Sequence, residues 1–103
     1  MQIYTVQGMN KIDYDFSVEI TNLGCFFNKA KALQRAAEEF AKLKMRHTDD
    51  IERYSDKEDY PSVDDGGINI EEDTENGYYL MSFGYEEWYE VHTVSIDEWT
   101  VEE

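Results

Sequence analysis

Between residues 28 and 46 the chain reads NKAKALQRAAEEFAKLKMR, its one long run of helical periodicity. Leu33, Ala36, Ala37, Phe40 and Leu43 recur at intervals of three and four, which gathers them on one stripe of a helix, while Lys29, Arg35, Glu38, Glu39 and Lys42 fall elsewhere. A helix with a single apolar stripe must bury it against another element. The rest of the chain is therefore expected to supply a covering surface, and the short alternating runs on both sides of the helix point to a sheet.

Residues 2–7 read as a short strand and residues 13–21 as a clearer one. In the second, Tyr14, Phe16, Val18 and Ile20 fall on the face expected to be buried, and Asp13, Asp15, Ser17, Glu19 and Thr21 fall on the other. The intervening Gly8 to Ile12 is short enough for a hairpin connection. Asn22, Leu23 and Gly24 read as a turn, Asn28 as the helix N-cap, and Phe27 as a residue packing back on the first turn. Lys29 and Lys31 oppose the helix dipole, whether simply solvated or drawn toward acids elsewhere in the chain. Lys42, Lys44 and Arg46 complement the dipole.

Residues 49–67 contain the only proline, Pro61, and read as an acidic loop, with a short strand or helical turn around Ile51 to Tyr54. Ile68 and Ile70 begin a strand. Asn76-Gly77 is a tight hairpin signal, residues 78–83 return, and residues 89–96 form the last strand, with Val91, Val94 and Ile96 as core candidates and Trp99 folding back as a lid. The order β-β-α-loop-β-β-β gives an α+β fold, a single helix packed on one face of an antiparallel sheet of about four to five strands. At 103 residues and 41% hydrophobic content, residues 1–103 are expected to form a single domain. An aromatic share of 15% argues against a disordered chain.

The formal charge of −15 is unevenly placed. Met1 to Thr48 carries 5 acids against 7 bases, net +2, whereas Asp49 to Glu103 carries 19 acids against 2 bases, net −17. Phosphate binding depends on Lys and Arg displacing counterions, so direct binding of nucleic acid or of an anionic membrane is not expected. Cys25 is the only cysteine, which rules out an internal disulfide and fits a reducing compartment. The opening MQIYTVQGMNKIDYD lacks a basic segment followed by an apolar run, and no 18 apolar residues run together. A cytoplasmic protein of a bacterial host cell is the expectation.

Catalytic and metal motifs are weak. Placing Gly66 at the sixth position of a calcium-binding EF-hand loop puts Asp65 at the fifth and Glu72 at the twelfth. However, Pro61 and Val63 then occupy the first and third, where carboxylates are required. His47, His92 and Cys25 have no spacing of a known zinc site, and Cys25, beside Phe26 and Phe27, reads as a buried, inert thiol. The many paired carboxylates sit in solvated runs, where nothing tunes their pKa for acid/base work. Neither an enzyme nor a cofactor nor a metal is expected.

What remains is acid interleaved with aromatic residues, which dominate protein interfaces. Asp49, Asp50, Asp64, Asp65, Glu71, Glu72, Glu86, Glu87 and Glu90 are the candidate contact carboxylates for a basic partner, with Tyr85 and Trp88 as apolar anchors. In size, acidity and expected architecture the chain resembles the small anti-defence proteins of phages and mobile elements, including anti-CRISPR and anti-restriction inhibitors. The resemblance is one of bulk properties and assigns no residue. It implies a DNA mimic that occupies the basic groove of a nuclease such as a Cas or restriction enzyme. The alternative is a non-enzymatic accessory or adaptor domain, homodimeric in one version, whose acidity serves solubility.

Overall fold

The computed structural model describes residues 1–12, 17–55, 67–84 and 89–101. In chain order these form β1 (Gln2–Ile12), β2 (Ser17–Phe26), α1 (Lys29–Arg46), α2 (Thr48–Tyr54), β3 (Ile68–Asp73), β4 (Tyr78–Gly84) and β5 (Tyr89–Thr100). The five strands make one antiparallel sheet in the order β2-β1-β5-β4-β3, with α1 packed on one face. The α+β architecture expected from the patterning is the one observed. No helix among the described residues is long and apolar enough to cross a membrane.

The centre of the sheet is the long pairing of β1 with β5, in register from Gln2 opposite Thr100 to Ile12 opposite Glu90. β1 therefore runs through residues 8–12, which the sequence reading assigned to a connection. Cross-strand partners share a face, so Val6 with Ile96, Gly8 with Val94 and Asn10 with His92 all point toward α1, as do Tyr79, Met81 and Phe83 of β4. The core is Val6, Tyr79, Met81, Phe83 and Val94 from the sheet, with Ala32, Ala36, Phe40 and Leu43 from the helix. Phe40 stacks on Tyr79 with ring centroids 5.0 Å apart. Such an aromatic pair adds about 0.5–1.5 kcal/mol to the area term.

The buried stripe of α1 is rotated from the expected one. Ala32 is fully buried, Leu33 only partly, and Ala37 is exposed. The small side chains of Ala32 and Ala36 let the helix lie close to the sheet, while Leu33 sits over the β3–β4 hairpin near Gly77. The helix start is as predicted, Asn28 Oδ1 accepting from the Lys31 backbone N–H at 3.3 Å. Phe27, however, is 72% exposed. The residue that packs there is Phe26, under the Arg35 guanidinium at 5.4 Å, and Arg35 also donates to the Leu23 carbonyl at 3.1 Å. Lys29 and Lys31 are exposed, and the first turn contains no acid.

β2 departs most from the alternation read in the sequence. Val18 and Ile20 are 53% and 68% exposed. They lie opposite Lys11 and Met9 on the face turned away from α1. Tyr14 and Phe16 lie outside the described residues. The reason is a bulge: Gln7 pairs with Asn22 but Val6 pairs with Gly24, so Leu23 is an extra residue and the side-chain parity inverts across it. Gly24 takes φ of 153° there, and a Cβ on it would stand 2.7 Å from the Phe26 ring. The segment read as a turn is thus a kink within a continuous strand, and it lets both Leu23 and Phe26 reach the helix side. Cys25, expected buried, is exposed on β2 opposite Thr5. Trp99 continues β5 and donates its Nε1–H to Thr5 Oγ1 at 3.0 Å; it does not fold back as a lid.

A hairpin forms where the Asn76-Gly77 signal puts it, closing through four residues, 74–77, between Asp73 and Tyr78. Gly77 has φ of 66°, and a Cβ at this position would lie 2.3 Å from Ile96 Cδ1. Gly77→Ala should therefore destabilise the protein by at least about 1–2 kcal/mol from the left-handed backbone alone, read as a drop in the urea midpoint at constant slope. Asp73 begins the turn and accepts from the Asn76 side chain at 2.8 Å and from its backbone N–H at 3.2 Å, which holds the carboxyl below its ordinary value of 3.8. A depressed carboxyl stabilises the turn above the ordinary value, and that contribution disappears as pH falls through the lower folded value. Asn76→Ala should move the Asp73 midpoint upward in a carboxyl-carbon NMR titration and leave distant carboxylates unmoved.

Candidate functional site

Two clusters of polar side chains lie near the end of α1, one on the edge strand β3 and one over β5 at the centre of the sheet. The first is acidic. β3 is an edge strand whose residues after Ile68 are all exposed, so Glu71, Glu72 and Asp73 reach solvent, followed by Glu75 in the turn. Glu72 points to the helix side and accepts from Lys44 Nζ at 2.9 Å. That contact ties the last turns of α1 to the strand, and α2, carrying Asp49, Asp50 and Glu52, follows directly. On β3 itself, Glu72 faces the helix side and Glu71 and Asp73 the other, so the edge strand carries acids on both faces. The field of this edge is felt inside: Tyr79 has its hydroxyl pKa raised first by burial, then by Glu72 and Asp73, with Lys44 opposing.

Beside these acids lies a shallow apolar hollow of about 420 Å³, formed by Ala41, Met45 and Ile51 and rimmed by Lys44, Thr48 and Glu52. Met45 is 76% exposed. This anchor was not legible in the sequence, because it needs the second helix α2, starting at Thr48, to bring Ile51 beside Met45, where the sequence reading has only a short strand or helical turn around Ile51 to Tyr54. A second cleft, of about 270 Å³, lies between α1 and the β1–β2 end of the sheet and is lined by Glu19, Glu39 and Arg46 among others.

The other cluster is the meeting of His47, Glu90 and His92. His47 ends α1 as its C-cap, its backbone N–H donating to the Leu43 and Lys44 carbonyls at 3.2 Å. From there its ring packs 4.7 Å from the His92 ring and 5.7 Å from Phe83. His92 is only 6% exposed and stands between two oxygens: Asn10 Oδ1 at 2.5 Å from Nδ1, and Glu90 Oε1 at 2.7 Å from Nε2. Asp50 Oδ2 lies 3.4 Å from His47 Nδ1. Four elements, β1, β5 and both helices, converge on these two rings.

Of the residues selected from the sequence, Glu71 and Glu72 are exposed on β3 and Asp49 is exposed on α2. Asp50, also on α2, faces His47. Glu90 is half-buried against His92 and points into the helix side of the sheet. Asp64, Asp65, Tyr85, Glu86, Glu87 and Trp88 lie outside the described residues. What the sequence reading missed is the encounter of His47 with His92, which are 45 positions apart and brought together only by α1 crossing β5. A partial signal existed: Glu90, His92, Val94 and Ile96 share one strand parity, so a strand with Val94 in the core must carry His92 and Glu90 inward as well. No protein-family model, no curated protein and no solved structure matches this chain.

Proposed function

We propose that the chain is an acidic protein-binding module that occupies the basic groove of a nucleic-acid-handling protein, in the manner of a DNA-mimicking, anti-CRISPR-like or anti-restriction-like inhibitor of phage or mobile-element origin acting in the bacterial cytoplasm. The observation that carries this reading is the acidic edge strand β3. There Glu71, Glu72 and Asp73, followed by Glu75 in the turn, all reach solvent, and Lys44, bridged to Glu72, also rims the Met45–Ile51 hollow. Residues two apart on a strand are about 6.6 Å apart, and duplex DNA places a charge every ~1.7 Å of axis. A strand with acids on both faces and in its turn approaches that density better than one face alone. The apolar hollow adds the desolvated contact that charge by itself lacks, since surface charges chiefly steer association and set specificity.

The test is displacement of labelled duplex DNA from Cas and restriction nucleases by the purified chain, repeated across salt concentrations. Displacement that weakens steeply with salt is the expected outcome. Binding indifferent to salt, or failure to release DNA from any nuclease, rejects the mimic. The triple reversal Asp49→Lys, Glu71→Lys and Asp73→Lys should weaken displacement at least tenfold. Apart from Asp73, whose hydrogen bonds to Asn76 hold the turn, these are exposed positions, where a change typically moves stability by no more than about 0.5 kcal/mol.

A second reading, an accessory domain that pairs with itself, is favoured by a different face. Ile3, Met9, Val18, Ile20, Leu80, Val91 and Trp99 all point away from α1, and no described element covers them. Exposed apolar area of this kind marks interaction surfaces. Sedimentation at several salt concentrations separates the readings: a monomer fits the mimic, and a salt-insensitive dimer dissociated by Ile20→Lys fits self-association.

A further inference from the structure

We propose that His47, Glu90 and His92 form a binding site for one divalent transition-metal ion of the zinc class, linking the end of α1 to strand β5. The site is separate from the acidic edge, and its argument does not rest on the reading above. The three side chains place one ligand atom each within 4.8 Å of one another. A tetrahedral zinc ion with bonds of about 2.0–2.1 Å holds its ligand atoms about 3.3 Å apart. Glu90 and His92, at 2.7 Å, need to open by about half an ångström, and His47 needs to close by about 1.5 Å at most. His47 is half-buried at a helix terminus, where rotation of the ring supplies a displacement of that size.

The outer partners are arranged for the same purpose. His92 Nδ1 faces Asn10 Oδ1 and His47 Nδ1 faces Asp50 Oδ2, so a ring that carries its proton on Nδ1 donates away from the cluster and leaves Nε2 for a ligand. A hydrogen-bonded Nδ1 opposite a ligating Nε2 is the usual outer shell of metal-bound histidine. Without an ion, His92 Nε2 and Glu90 Oε1, 2.7 Å apart, form a hydrogen bond when the ring carries its proton on Nε2, and metal binding competes with that hydrogen bond. Two imidazole nitrogens and one carboxylate select zinc, cobalt or nickel over magnesium or calcium, which take oxygen ligands. Three protein ligands leave a fourth position for water or a partner's donor group.

The experiment is calorimetric titration of the chelator-stripped full chain with Zn²⁺ in millimolar Mg²⁺, which occupies the exposed carboxylates. The expected result is one zinc per chain, weakened about tenfold or more by His47→Gln and by Glu90→Gln. Co²⁺ should give the visible absorption of a four-coordinate site, lost in His47→Gln. Because a core variant can misfold, the wild-type chain carries the deciding readout: on adding Zn²⁺, the Nε2 resonances of His47 and His92 should shift together while both Nδ1 atoms keep their protons. Zinc binding that His47→Gln leaves unchanged, or imidazole resonances unmoved by Zn²⁺, overturns the proposal in favour of a His92–Glu90 hydrogen bond.

Discussion

The fold depends on how closely one helix can approach one sheet. Ala32 and Ala36 are fully buried, and because neither projects beyond Cβ, the helix axis comes near enough for Phe40 to stack on Tyr79 and for Leu43 to reach the far side of the core. Full burial of a side chain the size of Phe40 is worth about 1.5–3 kcal/mol. Larger residues at the alanine positions would lift the helix and forfeit that contact along its length, since interiors are packed to near-crystalline density. The same closeness places Leu33 over Gly77, so the hairpin of β3 and β4 is held by the helix as well as by its own turn.

One helix does not span five strands, and the consequences differ at the two edges. At the β2 edge the bulge at Leu23 turns the strand so that Leu23 and Phe26 reach α1, while Val18 and Ile20 are left on the opposite face. At the β3 edge only Ile68 is partly buried, and the remaining residues are polar or exposed. Acidic side chains on an exposed edge strand discourage pairing with other strands, because a second copy would bring like charges into register. The charge of β3 therefore keeps this edge open against other strands.

How much of this was legible in the sequence depends on how local each determinant is. The helix, its Asn28 cap and the Asn76-Gly77 turn follow from short-range chemistry, a side-chain oxygen meeting a free N–H or a residue tolerating positive φ, and all three were read correctly. The parity of β2 was not, because apolar residues at alternate positions such as Val18 and Ile20 look the same whether they face the core or solvent, and a bulge at Leu23, three residues on, decides which. The acid density of the β3 edge was legible as composition. That the last turns of α1 are tied to it was not, since the Lys44–Glu72 bridge joins residues 28 positions apart. The same limit hid the histidine cluster, whose members belong to a helix terminus and a distant strand.

His92 concentrates the remaining tension in the structure. It sits on the same strand face as Val94, two residues from the core, and an apolar residue there would pack against Phe83 and the end of α1 without needing any partner. A buried imidazole instead requires both nitrogens to be served, and the chain commits Asn10 from β1 and Glu90 from β5 to it, with His47 closing the third side. Burying a polar group costs roughly 1–3 kcal/mol when a partner is missing, so such a network costs more than leucine would unless every member is satisfied. Replacing a buried polar network by apolar residues is often neutral or favourable for stability. Among the described residues no buried side-chain nitrogen or oxygen lacks a partner, so this network meets that condition and holds the end of α1 against β5.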